Sequence, residues 1–292
     1  MTQVQTIWSG KMELGEGPMW DSLRQLLWFV DIKKHKIHCF DPETGEVSSW
    51  AAPEQVGWVL PATNDFHLAG LRSGPCRFYP ASGQFERVIQ VEPHLPGNRL
   101  NDATVAPDGA VWFGSMDDAE AAATGQVYRL YDGELTTASI PPVAITNGPA
   151  LSGDGRTLYH VDTVGGVIHA VPLATNGEAG PQQEFVRIAP EDGHPDGVTV
   201  DAADNLWVAL WGGWGVRCYA SDGRLLHEVR LPASNITKIA FGGADLRRAY
   251  ATSARAGLSA EALALQPDAG SVFAFDVEVP GRPLPLAKAH RA

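Results

Sequence analysis

Pro195-Asp196-Gly197-Val198-Thr199-Val200 is followed, after a short turn, by Asp204-Asn205-Leu206-Trp207-Val208-Ala209-Leu210. A carboxylate stands ahead of one apolar strand, the chain turns, and a second apolar strand returns. The same order recurs three more times. Asn147-Gly148-Pro149 leads through Gly153-Asp154-Gly155 into Leu158-Tyr159-His160-Val161. Asn101-Asp102-Ala103 leads through Pro107-Asp108-Gly109 into Val111-Trp112-Phe113, and Glu16-Gly17-Pro18 leads into Leu26-Leu27-Trp28-Phe29-Val30. Units opening near Glu16, Gly57, Asn101, Asn147, Asp196 and Thr237 are spaced by 41 to 49 residues. Each has room for about four short strands, the period and content of a propeller blade.

The third strands of these units align at 36–41, 75–80, 126–131, 167–171, 215–219 and 271–275. The chain is therefore predicted to be an all-β, six-bladed β-propeller of four-stranded antiparallel blades around a central channel. No linker-like stretch interrupts it, so residues 1–292 are read as a single domain. The leading strand, about 4–8, is expected to join the last blade and close the ring, because closure protects sheet edges. The one helical candidate is 259–265, and the Pro-rich stretch after Asp276 reads as an extended surface segment.

Composition bounds the function. With 44% hydrophobic and 19% charged residues the chain has ample core for a soluble globular protein, and 31 Gly and 21 Pro suit many tight turns. A formal charge of −12 argues against nucleic-acid or anionic-membrane partners. Cys39, Cys76 and Cys218 match no metal spacing and read as small apolar residues in a reducing compartment. The first residues lack a basic-then-apolar leader and no run is long enough to span a bilayer, so the cytoplasm is expected. The oligomeric state is left open.

In a propeller blade the innermost strand runs along the axis, so residues at its starting end meet at one mouth of the channel. Glu16, Asn147 and Asp196 share that phase. Any one of them has an ordinary alternative, since Asn-Gly and Asp-Gly pairs commonly just turn the chain. Three at one repeat phase point further. Enclosed carboxylates are costly unless paired or bound to a cation, and only Lys238 places a basic residue at an equivalent phase. Two carboxylates and a carboxamide suit one divalent cation. Ca²⁺ or Mg²⁺ is favoured, while Mn²⁺, Zn²⁺ or Fe²⁺ is compatible with the same donors.

Leu14-Gly15-Glu16-Gly17-Pro18, Asn98-Arg99-Leu100-Asn101-Asp102, Thr146-Asn147-Gly148-Pro149, Pro195-Asp196-Gly197 and Phe241-Gly242-Gly243 resemble the motifs of the gluconolactonase/regucalcin family of six-bladed propellers. Among its members the chain is most similar to bacterial sugar-acid lactonases. The resemblance implies that Glu16, Asn147 and Asp196 ligate one divalent cation, and that Arg99 and Asn101 reach the substrate. A salt-bridge role for Arg99 carries equal weight, whereas the phase of Asn101 matches Asn147. A substrate-contacting glutamate of some relatives falls at Ala119 here, between Asp118 and Glu120.

The resemblance thus implies a metal-dependent hydrolase turning a small sugar lactone into its acid. Lactone chemistry predicts Lewis-acid polarisation of the ester carbonyl, with Asp196 as the base that deprotonates water. An organophosphate or aryl-ester hydrolase would use the same cation with a more apolar pocket. A non-enzymatic cation-binding or interaction propeller would bind metal without turnover. Trp214 is a candidate pocket wall, Trp58 is expected to close one side, and 254–270 is a candidate lid or rim. His160 and His169 read as satisfied core histidines rather than ligands.

Overall fold

In the computed structural model, which describes residues 3–63 and 65–288, six four-stranded antiparallel sheets follow one another along the chain. The innermost strands are Gly15–Asp21, Val56–Pro61, Asn98–Val105, Thr146–Leu151, His194–Val200 and Ile236–Gly242. Each packs against the next, and the sixth against the first. This is a closed six-bladed β-propeller. The third strands, Lys36–Phe40, Gly74–Tyr79, Val127–Tyr131, Val167–Pro172, Gly215–Tyr219 and Val272–Asp276, fall where the repeat placed them. The expected closure is also observed. Gln5–Trp8 pairs antiparallel with Val272–Asp276 as the outermost strand of blade six.

The apolar runs follow from burial on both faces of every sheet. Along Leu26–Asp31, the side chains of Leu27 and Phe29 pack towards blade six, whereas Trp28 and Val30 pack towards blade two. Period-two alternation thus feeds two cores instead of one core and solvent. The six apolar clusters each lie at one of the six blade interfaces. All three cysteines are free and buried in these layers, and burial pushes the thiols of Cys39 and Cys218 up to about 12. His160 is likewise core, but neither ring nitrogen has a hydrogen bond. Burial pushes it down to about 3, so it stays a neutral ring stacked near His169.

The helix is Ala260–Leu265, capped by Ser259, whose Oγ accepts from the Ala262 N–H at 3.2 Å. The segment after Asp276 is extended but is more than a surface tail. It crosses the mouth of the channel opposite the site described below. Pro280 accepts from Ala202, Arg282 donates to Asp204 at 2.7 Å, and Ala287 donates to Pro61 at 2.8 Å. Leu284 packs against the clusters of blades one to three. Among the described residues no helix is long and apolar enough to cross a membrane.

Candidate active site

One irregularity recurs in all six innermost strands. In blade one Glu16 faces Val30 but Met19 faces Trp28, so one extra residue is inserted. The same slip separates Leu100 from Ala103, Asn147 from Ala150 and Pro195 from Val198, and shorter forms occur at Val56/Trp58 and Ile236/Lys238. A β-bulge frees a residue from the ladder and re-aims its side chain. Glu16, Asn101, Asn147 and Asp196 all stand at this point. Asn147-Gly148 and Asp196-Gly197 are thus bulges inside strands, not turns. The glycines serve close approach: a Cβ on Gly57 would lie 2.5 Å from the Asn101 carbonyl oxygen, and one on Gly197 would lie 2.8 Å from that of Thr237.

Glu16, Arg99, Asn101, Asn147 and Asp196 line one pocket of about 360 Å³ at the starting end of the strands. All five are buried. Burial first, and then the Asp102 carboxylate, push Glu16 up to about 8. Burial, followed by the charges of Glu16 and Asp102, raises Asp196 well above the usual carboxylate range. Ionising both carboxylates at once is therefore costly, a condition that a bound cation would relieve. Among the described residues no three His, Cys, Asp or Glu side chains are grouped to hold a metal. The converging donors are two carboxylates and one carboxamide, and hard oxygen donors of this kind fit a divalent cation with water completing its shell.

A chain of hydrogen bonds fixes the amides. Arg99 Nε donates to Asp118 Oδ1 at 2.9 Å, and its Nη1 donates to Asn101 Oδ1 at 2.6 Å. Asn101 Nδ2 donates to Asn147 Oδ1 at 2.9 Å and to the Thr146 carbonyl at 2.7 Å. Asn147 Nδ2 donates to Thr163 Oγ1 at 2.9 Å. Both Asn101 protons are thereby committed, and Asn147 keeps its oxygen on the side of Asn101. Arg99 Nη2 makes no hydrogen bond among the described residues, leaving one edge of the guanidinium for a ligand. Both readings of Arg99 hold together, since it is a salt-bridge partner that also lines the pocket.

Asp118 is the buttress that sequence reasoning left out. It accepts from Lys33 at 2.7 Å, Gln55 at 3.2 Å and Arg99, joining the rims of blades one, two and three. Burial opposes its ionisation, but the Lys33 hydrogen bond and the Arg99 charge outweigh it and hold the carboxyl down at about 2. Glu120 lines the pocket where Ala119 does not. Trp211, cross-strand from His194, is the aromatic wall; Trp214 is not among the lining residues. Trp58 is buried and borders the opposite mouth, so it does not close this pocket. From 254–270 only Ala256 and Gly257 reach the pocket. Ala256 is pinned between the Glu13 carbonyl and Asn235 Nδ2, which makes it a fixed rim.

Beneath these groups, Lys238 of blade six forms a buried ion pair with Asp102 of blade three, and its Nζ donates to the Ala103 carbonyl at 3.1 Å. The two blades are opposite one another in the ring, so the lysine crosses the channel. Asp102 sits close enough to Glu16 and Asp196 to raise both, while Lys238 borders the small pocket on the far side.

Known proteins match this architecture along its length. The family model described as SMP-30/Gluconolactonase/LRE-like region matches residues 14–255. The 6-deoxy-6-sulfogluconolactonase of Pseudomonas putida is 36% identical over 277 residues, covering 94% of each chain. The L-arabinolactonase of Azospirillum brasilense is 36% identical, covering 89% of this chain and 87% of that one. A crystal structure of a calcium-binding protein, regucalcin, from Agrobacterium tumefaciens superposes with a TM-score of 0.94 at 30% identity, covering 98% of this chain and 97% of that one. The chain belongs to the SMP-30/gluconolactonase/LRE-like family.

Proposed function

We propose that this protein is a lactonase that opens sugar-acid lactones to the free acids, with one divalent cation held by Glu16, Asn147 and Asp196. The observation that carries the reading is the meeting of two mutually repelling buried carboxylates with an oriented carboxamide in one pocket, beside a guanidinium with a free edge. Relatives named as lactonases at 36% identity support it. When bound, a divalent cation supplies Lewis acidity towards an ester carbonyl. Asp196 takes a proton from the attacking water, a role open to a carboxylate that lines the pocket. Arg99, held by Asp118, donates from its open edge to the carbonyl or ring hydroxyls. Asn101 holds Arg99 and Asn147 in mutual register. Water adds at the carbonyl carbon, the ring C–O bond breaks, and the released alkoxide takes up a proton to give the hydroxy acid.

The test is pH-stat hydrolysis of pentono- and hexonolactones, with and without a terminal anionic group, by metal-stripped protein. Ca²⁺, Mg²⁺, Mn²⁺, Zn²⁺ and Fe²⁺ are each added back, and spontaneous opening is subtracted. Hydrolysis that returns with a cation and is lost in Asp196→Asn is expected. No hydrolysis of any lactone with any cation would sink the reading.

A further inference from the structure

The Lys238–Asp102 pair has no place in the proposed reaction, yet it is buried across the channel. Asp102 is 1% exposed and Lys238 is 7% exposed. The ammonium is held by Asp102 Oδ1 and the Ala103 carbonyl oxygen. Asp102 Oδ1 also accepts from the Ala103 N–H at 2.7 Å, and the Gly148 N–H approaches the same carboxylate. The Asp102 carboxylate and the Ala103 carbonyl are hard oxygen donors, the kind that bind Ca²⁺. The charge count points the same way. Glu16, Asp102 and Asp196 are three buried acidic groups of the innermost strands, Arg99 is paired with Asp118, and Lys238 is paired with Asp102.

We propose that the Lys238 ammonium stands in the place of a divalent cation. It acts as a positioning residue that neutralises Asp102, separates the two mouths of the channel and keeps a second ion out. The cation site above it rests on the reading given under Proposed function, but the lysine's role is separable from it. Removing the side chain down to a small residue opens a new site at Asp102 and Ala103, whatever the wild type binds above.

The experiment is calorimetric titration of the metal-stripped full chain with Ca²⁺, with bound metal counted by elemental analysis. Wild type, Lys238→Ser, and Lys238→Ser combined with Asp102→Asn are compared, with Glu16→Gln as the control for the upper site. Lys238→Ser should bind one ion more than wild type, and the added ion should vanish in the double variant. A rise from one ion to two supports both readings. A rise from none to one supports the lysine proposal while the upper cation site fails. An unchanged count in folded Lys238→Ser overturns the proposal. Should that variant be unfolded without metal, recovery of its unfolding transition at raised Ca²⁺ supports the proposal, and failure to recover overturns it.

Discussion

The two mouths of the channel are built by the same innermost strands and share almost no chemistry. At the starting end, bulges deliver Glu16, Asn101, Asn147 and Asp196 into a pocket of about 360 Å³. At the finishing end, the strands return to regular pairing and present Met19, Trp58, Leu60, Val198 and Phe241 around a remnant of about 70 Å³ that Arg282 and Leu284 border. One extra residue per strand divides a polar pocket from a packed core. Polar cost explains the asymmetry: buried carboxylates stand at the mouth that opens into the pocket or are paired, as Asp102 is with Lys238, and apolar side chains fill the end that the C-terminal segment covers.

The sharpest way to break this comparison is at Asp196. Asp196→Asn should lower lactone hydrolysis by about 10²–10⁴-fold, the usual worth of a positioned base, with an unfolding temperature no lower than wild type. A wild-type rate would remove the starting mouth from the chemistry altogether. Next in size is Arg99. Arg99→Lys should cost about 10- to 100-fold in kcat/KM, since one charged hydrogen bond and a planar fork are lost; steady-state kinetics decides.

Asp118→Asn should be milder, with KM rising about tenfold or less while kcat is largely kept, because Asp118 acts through Arg99. Its pH dependence has a definite sign. Asp118 is depressed to about 2, so its pairing is intact above the ordinary Asp value of about 4 and is lost only as pH falls through about 2. KM should therefore show no acid limb from this group in assays at about pH 5 and above. A KM that climbs below neutrality in wild type but not in Asp118→Asn would contradict the assignment.

The smallest effect on activity belongs to the other mouth. Leu284→Ala removes a half-buried side chain from two blade interfaces and should cost about 1–2 kcal/mol in urea unfolding. It should leave kcat/KM within about twofold, as for sites with no shared partners. A large loss of activity there would show that the two mouths are coupled.

The blade count and the phase of Glu16, Asn147 and Asp196 were legible because repetition is a property of spacing. The third strands and the closure by Gln5–Trp8 followed from the same alignment. Trp211 and Trp214 could not be ranked by it. They are three residues apart in one loop region, and only side-chain direction separates a wall residue from a neighbour. Asp118 was out of reach for another reason: its partners Lys33, Gln55 and Arg99 come from three blades with no common interval. Lys238 was visible as the one basic residue in phase, but its reach across to Asp102 is a fact of ring geometry.

Blade six lies between blades one and five, and therefore between the strands that carry Glu16 and Asp196. Its outer strand comes from residues 5–8, so Trp8 meets Val272 only after nearly the whole chain has been gathered in. The innermost strand of blade six packs against both carboxylate-bearing strands, and the pairing of residues 5–8 completes its sheet. Four residues from the start of the chain thereby join its first strand to its last blade, and the circle is shut by the two ends of the sequence.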